Sequence, residues 1–465
     1  MRRHPQLRSA PLALLLAIAV VALVPKARAQ DATVDSIRVM VEGEMAALRA
    51  PGAAVAVVRG DRVVLEAGFG VASAEAVEPV TPLTLFRIGS TSKMVSAAAA
   101  LVLEHEGTLK LGDPIGRYAR GLAPALQAPS LHLLLTHRAG FWQEAAGNGL
   151  HDDAALGARV RGWTGDRIVG PLDDIYSYSG PGYWLAGYAI EEATGVSFAD
   201  AVAQRVLRPA GMTRSTFRPL EAMTWPMAQD HRVDSAGARV VRPYPDDITT
   251  WASGSLFSSA REMARFMIAL LNDGVVDGAR VLPAGIAERM MTAHAQTPDA
   301  FCGYGYGLSV CRNGNVRVVS HAGFRGGSGS IVMMIPEERV GVVIITNRNG
   351  GIMGRSAGRA LELLLGRSLP SGQGSGPPAA MAPARFPGIY VNGTDTIRVA
   401  AGAGGAFRFS YAAGPEQPAR FTAPNVLEIL AVDGTSVGRF MLVRGRTGAE
   451  LYLHDGLGAY RKRTR

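Results

Sequence analysis

Ser90-Thr91-Ser92-Lys93 sets a hydroxyl and an amine three residues apart, inside the stretch FRIGSTSKMVSAAAALVLEHEGTLKLGDPIGRY at residues 86–118. From Ser92 to Glu106 there is no Gly or Pro, and Ala, Leu and Met dominate, which predicts a helix. Apolar residues cover most of its circumference, so the helix is expected to be buried. With Ser90 in the first turn, Lys93 lies on the same face one turn later. A serine beside an amine is the arrangement of an activated nucleophile, and a helix N-terminus favours the oxyanion formed on attack. The lysine is unusual in this chain. Among 48 Lys and Arg residues only Lys26, Lys93, Lys110 and Lys462 are lysines. Arg does not deprotonate in a protein, whereas a desolvated Lys does. The plainer reading of the same tetrad is an N-cap serine and a lysine that merely snorkels.

A lysine-activated serine needs a second proton-transfer group, donors for the oxyanion and a strand edge to hold the substrate. Tyr178 is the candidate for the first, because the Gly180-Pro181-Gly182 turn that follows presents it at a loop tip. Ser320–Phe324 is the candidate for the rest. It ends a predicted strand, and Gly323 lets a ligand approach the backbone. The N–H groups of Phe324 and Ser90 are the candidate oxyanion hole, and His321 is placed to polarise the substrate or bind a carboxylate. His137, in Thr136-His137-Arg138-Ala139-Gly140, reads as a structural turn histidine, since no carboxylate or second His sits at a ligand-like spacing. A rival nucleophile is Ser356, in Gly354-Arg355-Ser356-Ala357-Gly358. That pattern requires a strand turning sharply into a helix. Here a loop intervenes after Thr346, and the downstream histidine is the distant His454.

At 465 residues the chain is long enough for two domains around a large core. Residues 1–29 read as a secretory signal. Arg2, Arg3 and Arg8 are a basic start, Ala10–Val24 is an apolar stretch, and Ala27-Arg28-Ala29 is a small-x-small cleavage site. A periplasmic or secreted location is therefore expected. The segment carries Arg2, Arg3, Arg8, Lys26 and Arg28 and no acid, so cleavage lowers the formal charge of +9 by these five. No basic run interleaved with aromatics suggests nucleic acid, and no later stretch is apolar for long enough to span a bilayer. Cys302 and Cys311 lie about 30 Å apart if the segment between them is one extended strand, too far to bridge. Gly303, Gly305 and Gly307 would permit a fold-back, and both alternatives stand. No metal site or organic cofactor is implied.

The elements that must position these residues follow in order. Val34, Ile37, Val41, Met45 and Leu48 give an amphipathic helix. Residues 53–58 and 62–66 form a hairpin about Arg59-Gly60-Asp61. Loop-rich residues 141–175 would wall a pocket. Trp184–Ala193 is helical up to Gly195. Ser197 and Ser259 open capping boxes, the second leading helix Ala260–Leu271. Tyr306–Val310 and Val316–Ser320 flank Asn313-Gly314, and Ile331–Ile335 and Val340–Thr346 flank residues 336–339. Arg359–Leu365 is a closing helix. This order predicts an α+β fold: an antiparallel sheet joining both chain ends, flanked by helices, with an all-helical insert. Residues 369–387 are linker-like. Residues 388–465, with short alternating runs, predict a small all-β barrel.

Taken together, these segments resemble the serine β-lactamase-related and penicillin-binding superfamily. The branch is the one holding class C β-lactamases, D-Ala-D-Ala carboxypeptidases, D-aminopeptidases and related esterases. The resemblance runs over roughly residues 34–366. It rests on PGAAVAVVRGDRVVLEAGFG, FRIGSTSK, LLTHRAGF, YSYSGPGYWLAGYAIEEATG, SGSLFSSAREMARFM and HAGFRGGSGSIVMMIPEERVGVVIITN. It implies a β-lactamase/transpeptidase-like hydrolase domain over 31–368 and a lipocalin-like domain over 388–465. It implies Ser90 as acylated nucleophile, Lys93 as base and Tyr178 as proton shuttle. His321-Ala322-Gly323 stands where the family has Lys-Thr-Gly or His-x-Gly. The expectation is an exported serine hydrolase acting on a small ester, amide or D-amino-acid peptide. The alternative is a penicillin- or peptidoglycan-binding protein that acylates with little turnover. Two departures bear on this. Gly180 stands where the family usually has the Asn that contacts the substrate amide, and His321 replaces the Lys of true β-lactamases. Both favour esterase or peptidase variants.

Overall fold

The computed structural model describes residues 32–143, 152–244, 246–299, 301–370, 383–402, 406–423 and 425–463. The signal-like residues 1–29 and most of the linker-like 369–387 lie outside them.

The apolar residues spaced by three and four form helix α1 over residues 32–48, with Ile37 and Val41 turned inward. The first hairpin follows. Strands β1 (Gly52–Arg59) and β2 (Arg62–Ser73) join through Gly60, whose positive φ of 64° favours glycine. The second strand runs seven residues beyond the predicted Glu66, to Ser73, and β3 (Ala76–Pro79) pairs with its end. The late part of the chain supplies β4 (Ala295–Gln296), β5 (Cys302–Tyr304), β6 (Ser309–Asn313), β7 (Val316–Arg325), β8 (Ser328–Ile335) and β9 (Val340–Thr346). These nine strands form one sheet in the order β4-β5-β6-β7-β8-β9-β1-β2-β3. The β1–β9 pairing, Ala53↔Thr346 to Arg59↔Val340, joins the two chain ends antiparallel as expected.

Side chains of β1 divide between two cores, as a period of two requires. Ala54, Ala56 and Val58 face one, with α2 (Ser92–His105), α3 (Gly180–Thr194) and α4 (Ala260–Leu271). Ala53, Val55 and Val57 face the other, with α1 and α5 (Gly354–Leu365). The helical insert between β3 and β4 also carries three short two-stranded ribbons, one of which pairs Phe86-Arg87 with Phe257-Ser258. Ser259 caps α4 through the Glu262 amide, but Glu262 does not close the box. Its carboxylate instead accepts from Arg214 N and Ser215 Oγ.

Two strand readings shift. The turn between β6 and β7 is Gly314-Asn315, one residue later than predicted, with the glycine first at φ 59°. The segment before it folds back at Gly305–Leu308. Cys302 then lies directly opposite Cys311 on neighbouring strands, and the two form a disulfide with Cα atoms 4.0 Å apart. Glycine is required in this fold-back. A Cβ on Gly307 (φ 72°) would stand 2.5 Å from the Lys93 carbonyl oxygen.

Residues 388–462 close an eight-stranded antiparallel barrel: β10 (Gly388–Asn392), β11 (Asp395–Ala401), β12 (Phe407–Tyr411), β13 (Gln417–Ala423), β14 (Val426–Leu430), β15 (Ser436–Arg444), β16 (Leu451–His454) and β17 (Ala459–Lys462). Phe386, Tyr390, Ile397, Leu427, Leu442 and Leu453 fill it. Alternation reveals β11, β12 and β14–β16. It misses β13 and β17, where Arg, Gln, Pro and Lys break the apolar rhythm, and β10, whose Ile389-Tyr390-Val391 is a continuous apolar run rather than an alternating one. Among the described residues no helix is long and apolar enough to cross a membrane.

Candidate active site

Gly89, Ser90 and Thr91 form a single 3-10 turn that runs into α2 at Ser92. Lys93 therefore falls one turn below Ser90, and its Nζ stands 3.2 Å from Ser90 Oγ. Ser90 is half-buried, whereas Lys93 is 1% exposed. The amine donates to the Ser253 carbonyl at 2.7 Å and sits 4.7 Å from the Tyr178 ring centre. Burial, with a smaller contribution from Arg325, holds its pKa well below the ordinary lysine value. A neutral amine beside a hydroxyl can accept its proton.

Tyr178 reaches the same point from the other side, and its hydroxyl hydrogen-bonds Ser90. Surrounding protein pushes its phenol well up, an effect the Ser90 contact only partly offsets. It therefore stays protonated at neutral pH and is a donor, while the amine is the better acceptor.

Strand β7 closes the site. The β6 register ends at Ser309↔Ser320, so residues 321–325 present their free edge to the Gly89–Thr91 turn. The approach is too close for side chains. A Cβ on Gly323 would stand 2.1 Å from the Ile88 carbonyl oxygen and 2.9 Å from Ser90 N, and one on Gly89 would stand 2.5 Å from Phe324 N. The Ser90 and Phe324 backbones thus lie against each other, and their amides remain the candidate donors for an oxyanion. Thr91 Oγ1 and the Ile88 carbonyl both bond Ser330 Oγ, at 2.7 Å each, and this fixes the turn to β8.

His321 departs from expectation. Its Nδ1 donates to the Ala322 carbonyl at 2.6 Å, which leaves Nε2 to accept from the Tyr304 hydroxyl at 3.0 Å. Burial and the neighbouring Lys93 push its pKa down to about 3. Both nitrogens are occupied and the ring is neutral, so it offers no cation or spare donor to a substrate carboxylate. Its place is beneath the site, as a spacer between Tyr304 and the β7 backbone.

Ser356 is excluded geometrically. It lies in the first turn of α5, 3% exposed, and donates to the Met40 carbonyl of α1 on the far side of the sheet. His454 is in the barrel.

Three contributors escaped sequence reasoning. His137 does more than make a turn. Its carbonyl accepts from Ser177 N at 2.8 Å and its Nδ1 from Ser179 N at 3.0 Å, bracketing Tyr178 on both sides. Its αL conformation (φ 59°) is visible only in the structure, and the sequence around it carried no signal of this role. Gln143 accepts from Gly180 N at 2.7 Å through Oε1. A Cβ on Gly180 would lie 3.6 Å from Gln143 Nε2, so a carboxamide from another loop borders the space that an Asn side chain at 180 would enter. The third is the barrel, whose Leu457 carbonyl accepts from Tyr178 N at 2.8 Å.

With this geometry in place, the comparisons decide the family. Residues 37–367 match the family model described as Beta-lactamase. The chain belongs to the beta-lactamase family. Members of the family related to this chain are serine hydrolases. It is 29% identical over 258 residues to the putative penicillin-binding protein PbpX of Bacillus subtilis, covering 55% of this chain and 61% of that protein. It is 30% identical over 319 residues to penicillin-binding protein 4 of Amycolatopsis lactamdurans, covering 65% of this chain and 81% of that one. It is 28% identical over 335 residues to the D-aminopeptidase of Gluconobacter oxydans, covering 67% of this chain and 59% of that one. The chain thus spans about three fifths of the length of the first and third of these relatives. Among solved structures, that of SurE superposes with a TM-score of 0.76 at 22% identity, over 93% of this chain and 100% of that one. That likeness extends the shared fold to the barrel.

Proposed function

We propose that the chain is an exported serine hydrolase that forms an acyl-enzyme at Ser90 and hydrolyses a small ester or amide, including peptides of D-amino acids. The observation that carries the reading is the Lys93 amine, buried, deprotonation-prone and 3.2 Å from Ser90 Oγ. Lys93 Nζ takes the Ser90 proton as Oγ bonds to the substrate carbonyl carbon. The Ser90 and Phe324 amides receive the oxyanion. As the tetrahedral intermediate collapses, the bond to the leaving oxygen or nitrogen breaks, and that atom takes the Tyr178 hydroxyl proton. The Lys93 ammonium, 4.7 Å from the Tyr178 ring centre, returns its proton to the phenolate and is again a neutral base. Water then repeats the sequence on the acyl-enzyme. No metal or organic cofactor enters these steps.

The D-aminopeptidase relative supports the D-amino-acid substrate class. The two penicillin-binding relatives support a second reading, acylation with little turnover. The disulfide between Cys302 and Cys311 supports export to an oxidising compartment, the periplasm or beyond, as does the signal-like start at residues 1–29. We assign residues 31–368 to the hydrolase domain, 369–387 to a linker and 388–465 to the lipocalin-like barrel.

Steady-state release of p-nitroaniline from D-alanine and L-alanine p-nitroanilides, beside p-nitrophenyl acetate, tests the reading. Turnover of the acetate and preference for the D-anilide, both lost in Ser90→Ala, are expected. Preference for the L-anilide would remove the D-amino-acid class.

A further inference from the structure

The loop that carries Tyr178 is held by the barrel over almost its whole length. Arg446 Nε donates to the Asp173 carbonyl at 2.9 Å, and Arg446 N to the Asp174 carbonyl at 2.8 Å. The Asp174 carboxylate accepts from Thr447 N at 2.8 Å and from the Tyr452 hydroxyl at 3.0 Å. His454 Nε2 donates to the Tyr176 carbonyl at 2.9 Å, and the two rings stack 17° from parallel. Ala459 N donates to Ser177 Oγ, and the Leu457 carbonyl accepts from Tyr178 N at 2.8 Å. These contacts come from β16, the first residue of β17, and the two turns that flank β16.

The second turn, residues 455–458, is closed by its own hydrogen bonds. Gly456 N donates to His454 Nδ1 at 2.9 Å, and Leu457 N and Gly458 N donate to Asp455 Oδ1 at 2.9 and 2.7 Å. On this tip Leu457 is 59% exposed, one hydrogen bond from the Tyr178 backbone. Phe324, the candidate oxyanion donor, is 62% exposed at the end of β7. A mobile surface leucine needs no explanation. One on a hydrogen-bonded turn whose carbonyl holds the Tyr178 backbone, with an exposed phenylalanine on the strand that borders the nucleophile, does.

We infer that the barrel tip 455–458 is one wall of the substrate site and that Leu457 is its specificity-determining residue, contacting an aliphatic or aromatic group of the substrate. The inference rests on the reading of Ser90 as the acylated residue. It makes the barrel part of the reaction centre, supplying a backbone acceptor that positions Tyr178 and an apolar surface that selects the acyl group or side chain.

The test compares acylation by p-nitrophenyl octanoate and p-nitrophenyl acetate, read as the p-nitrophenolate burst. The full-length proteins are wild type, Leu457→Ser, Leu457→Asp and, as a control for a surface charge elsewhere on the barrel, Val432→Asp. Val432 is fully exposed. The octanoate-to-acetate ratio of kcat/KM is expected to fall about tenfold in Leu457→Ser and further in Leu457→Asp, through KM, because a lost apolar contact is worth roughly that factor. Val432→Asp is expected to keep the wild-type ratio. A ratio that stays at the wild-type value in both Leu457 variants overturns the inference, as does an equal fall for both esters. If Ser90→Ala still releases p-nitrophenolate like wild type, the nucleophile reading fails. If Ser90→Ala is silent while Leu457 has no effect on the ratio, only the present inference fails.

Discussion

Replacing Lys93 separates chemistry from folding. Lys93→Met keeps the length of an unbranched side chain and removes the base, and Lys93→Arg keeps a cation that does not give up its proton. Loss of a positioned general base costs about 10²–10⁴-fold in rate, or about 3–5 kcal/mol at about 1.4 kcal/mol per decade. Stability moves differently. The folded-state pKa of Lys93 is depressed well below 10.5. Between that folded value and 10.5 the unfolded chain binds a proton that the folded chain does not. Stability therefore rises with pH across this window, and at lower pH the buried lysine is a net cost. Lys93→Met removes the cost but leaves the Ser253 carbonyl without its 2.7 Å donor, a loss of about 1–3 kcal/mol. The two effects oppose, so the melting temperature is expected to change little while acylation collapses. Stopped-flow p-nitrophenolate bursts from pH 5 to 10 read the outcome. Wild-type acylation should rise with pH and level off well below pH 10.5, and both variants should lose that limb. If Lys93→Met keeps acylation within about threefold of wild type, or keeps the limb, the lysine is not the base and the reasoning fails.

Other consequences concern the shell around this pair. His137→Ala removes the acceptor for Ser179 N, costs about 1–3 kcal/mol of stability and lowers kcat more than it raises KM. Chemical denaturation and steady-state kinetics of the variant check both. Gly180→Asn should fold, since a Cβ there meets only ordinary contacts, and should raise amide relative to ester turnover; Gln143→Ala should lower it. A matched anilide and ester pair measures the ratio. Buried His321 and His454 have folded pKa values pushed down to about 3 and about 4. The unfolded chain therefore takes up protons first as pH falls below about 6.5, and each ring contributes a loss of about 1.4 kcal/mol per pH unit down to its folded value. Melting temperatures at pH 7, 5.5 and 4.5 should fall progressively, with a shallower slope in His454→Asn. Cys302→Ser opens the loop that the disulfide closes and should cost about 2–3 kcal/mol in urea unfolding, with little change when wild type is reduced first as the reference.

The sequence made the sheet legible because its strands obey one rule, alternation with a glycine or charged turn at each end. The α2 helix was legible from the unbroken run after Ser92. Ser90, Lys93 and Tyr178 could be named as candidates because the chemistry proposed for them depends on short spacings or on a turn that punctuates the chain, and the fold brings the three together. What stayed hidden depends on contacts across hundreds of residues. His137 and Tyr178 lie on separate segments and meet through backbone amides, which have no side-chain signature. The partner of Tyr178 N is a carbonyl 279 positions later, as the numbers 178 and 457 give, and any residue type supplies a carbonyl. The surroundings of His321 stayed hidden for a related reason. Its role follows from Tyr304 and the Ala322 carbonyl occupying both ring nitrogens, which only the β5–β6–β7 geometry reveals. The disulfide turned on whether residues 303–308 fold back, and the decision came from Lys93 and Met290 carbonyls that leave room for glycine alone at Gly307 and Gly305.

Intact-mass analysis of the purified protein after brief exposure to a fluorescent penicillin and, separately, to p-nitrophenyl acetate tests the central claim most directly. The predicted result is an added acyl mass that maps to the peptide containing Ser90, absent from Ser90→Ala with either reagent. An adduct of the same mass on Ser90→Ala, or one that maps to any other residue, would contradict the account.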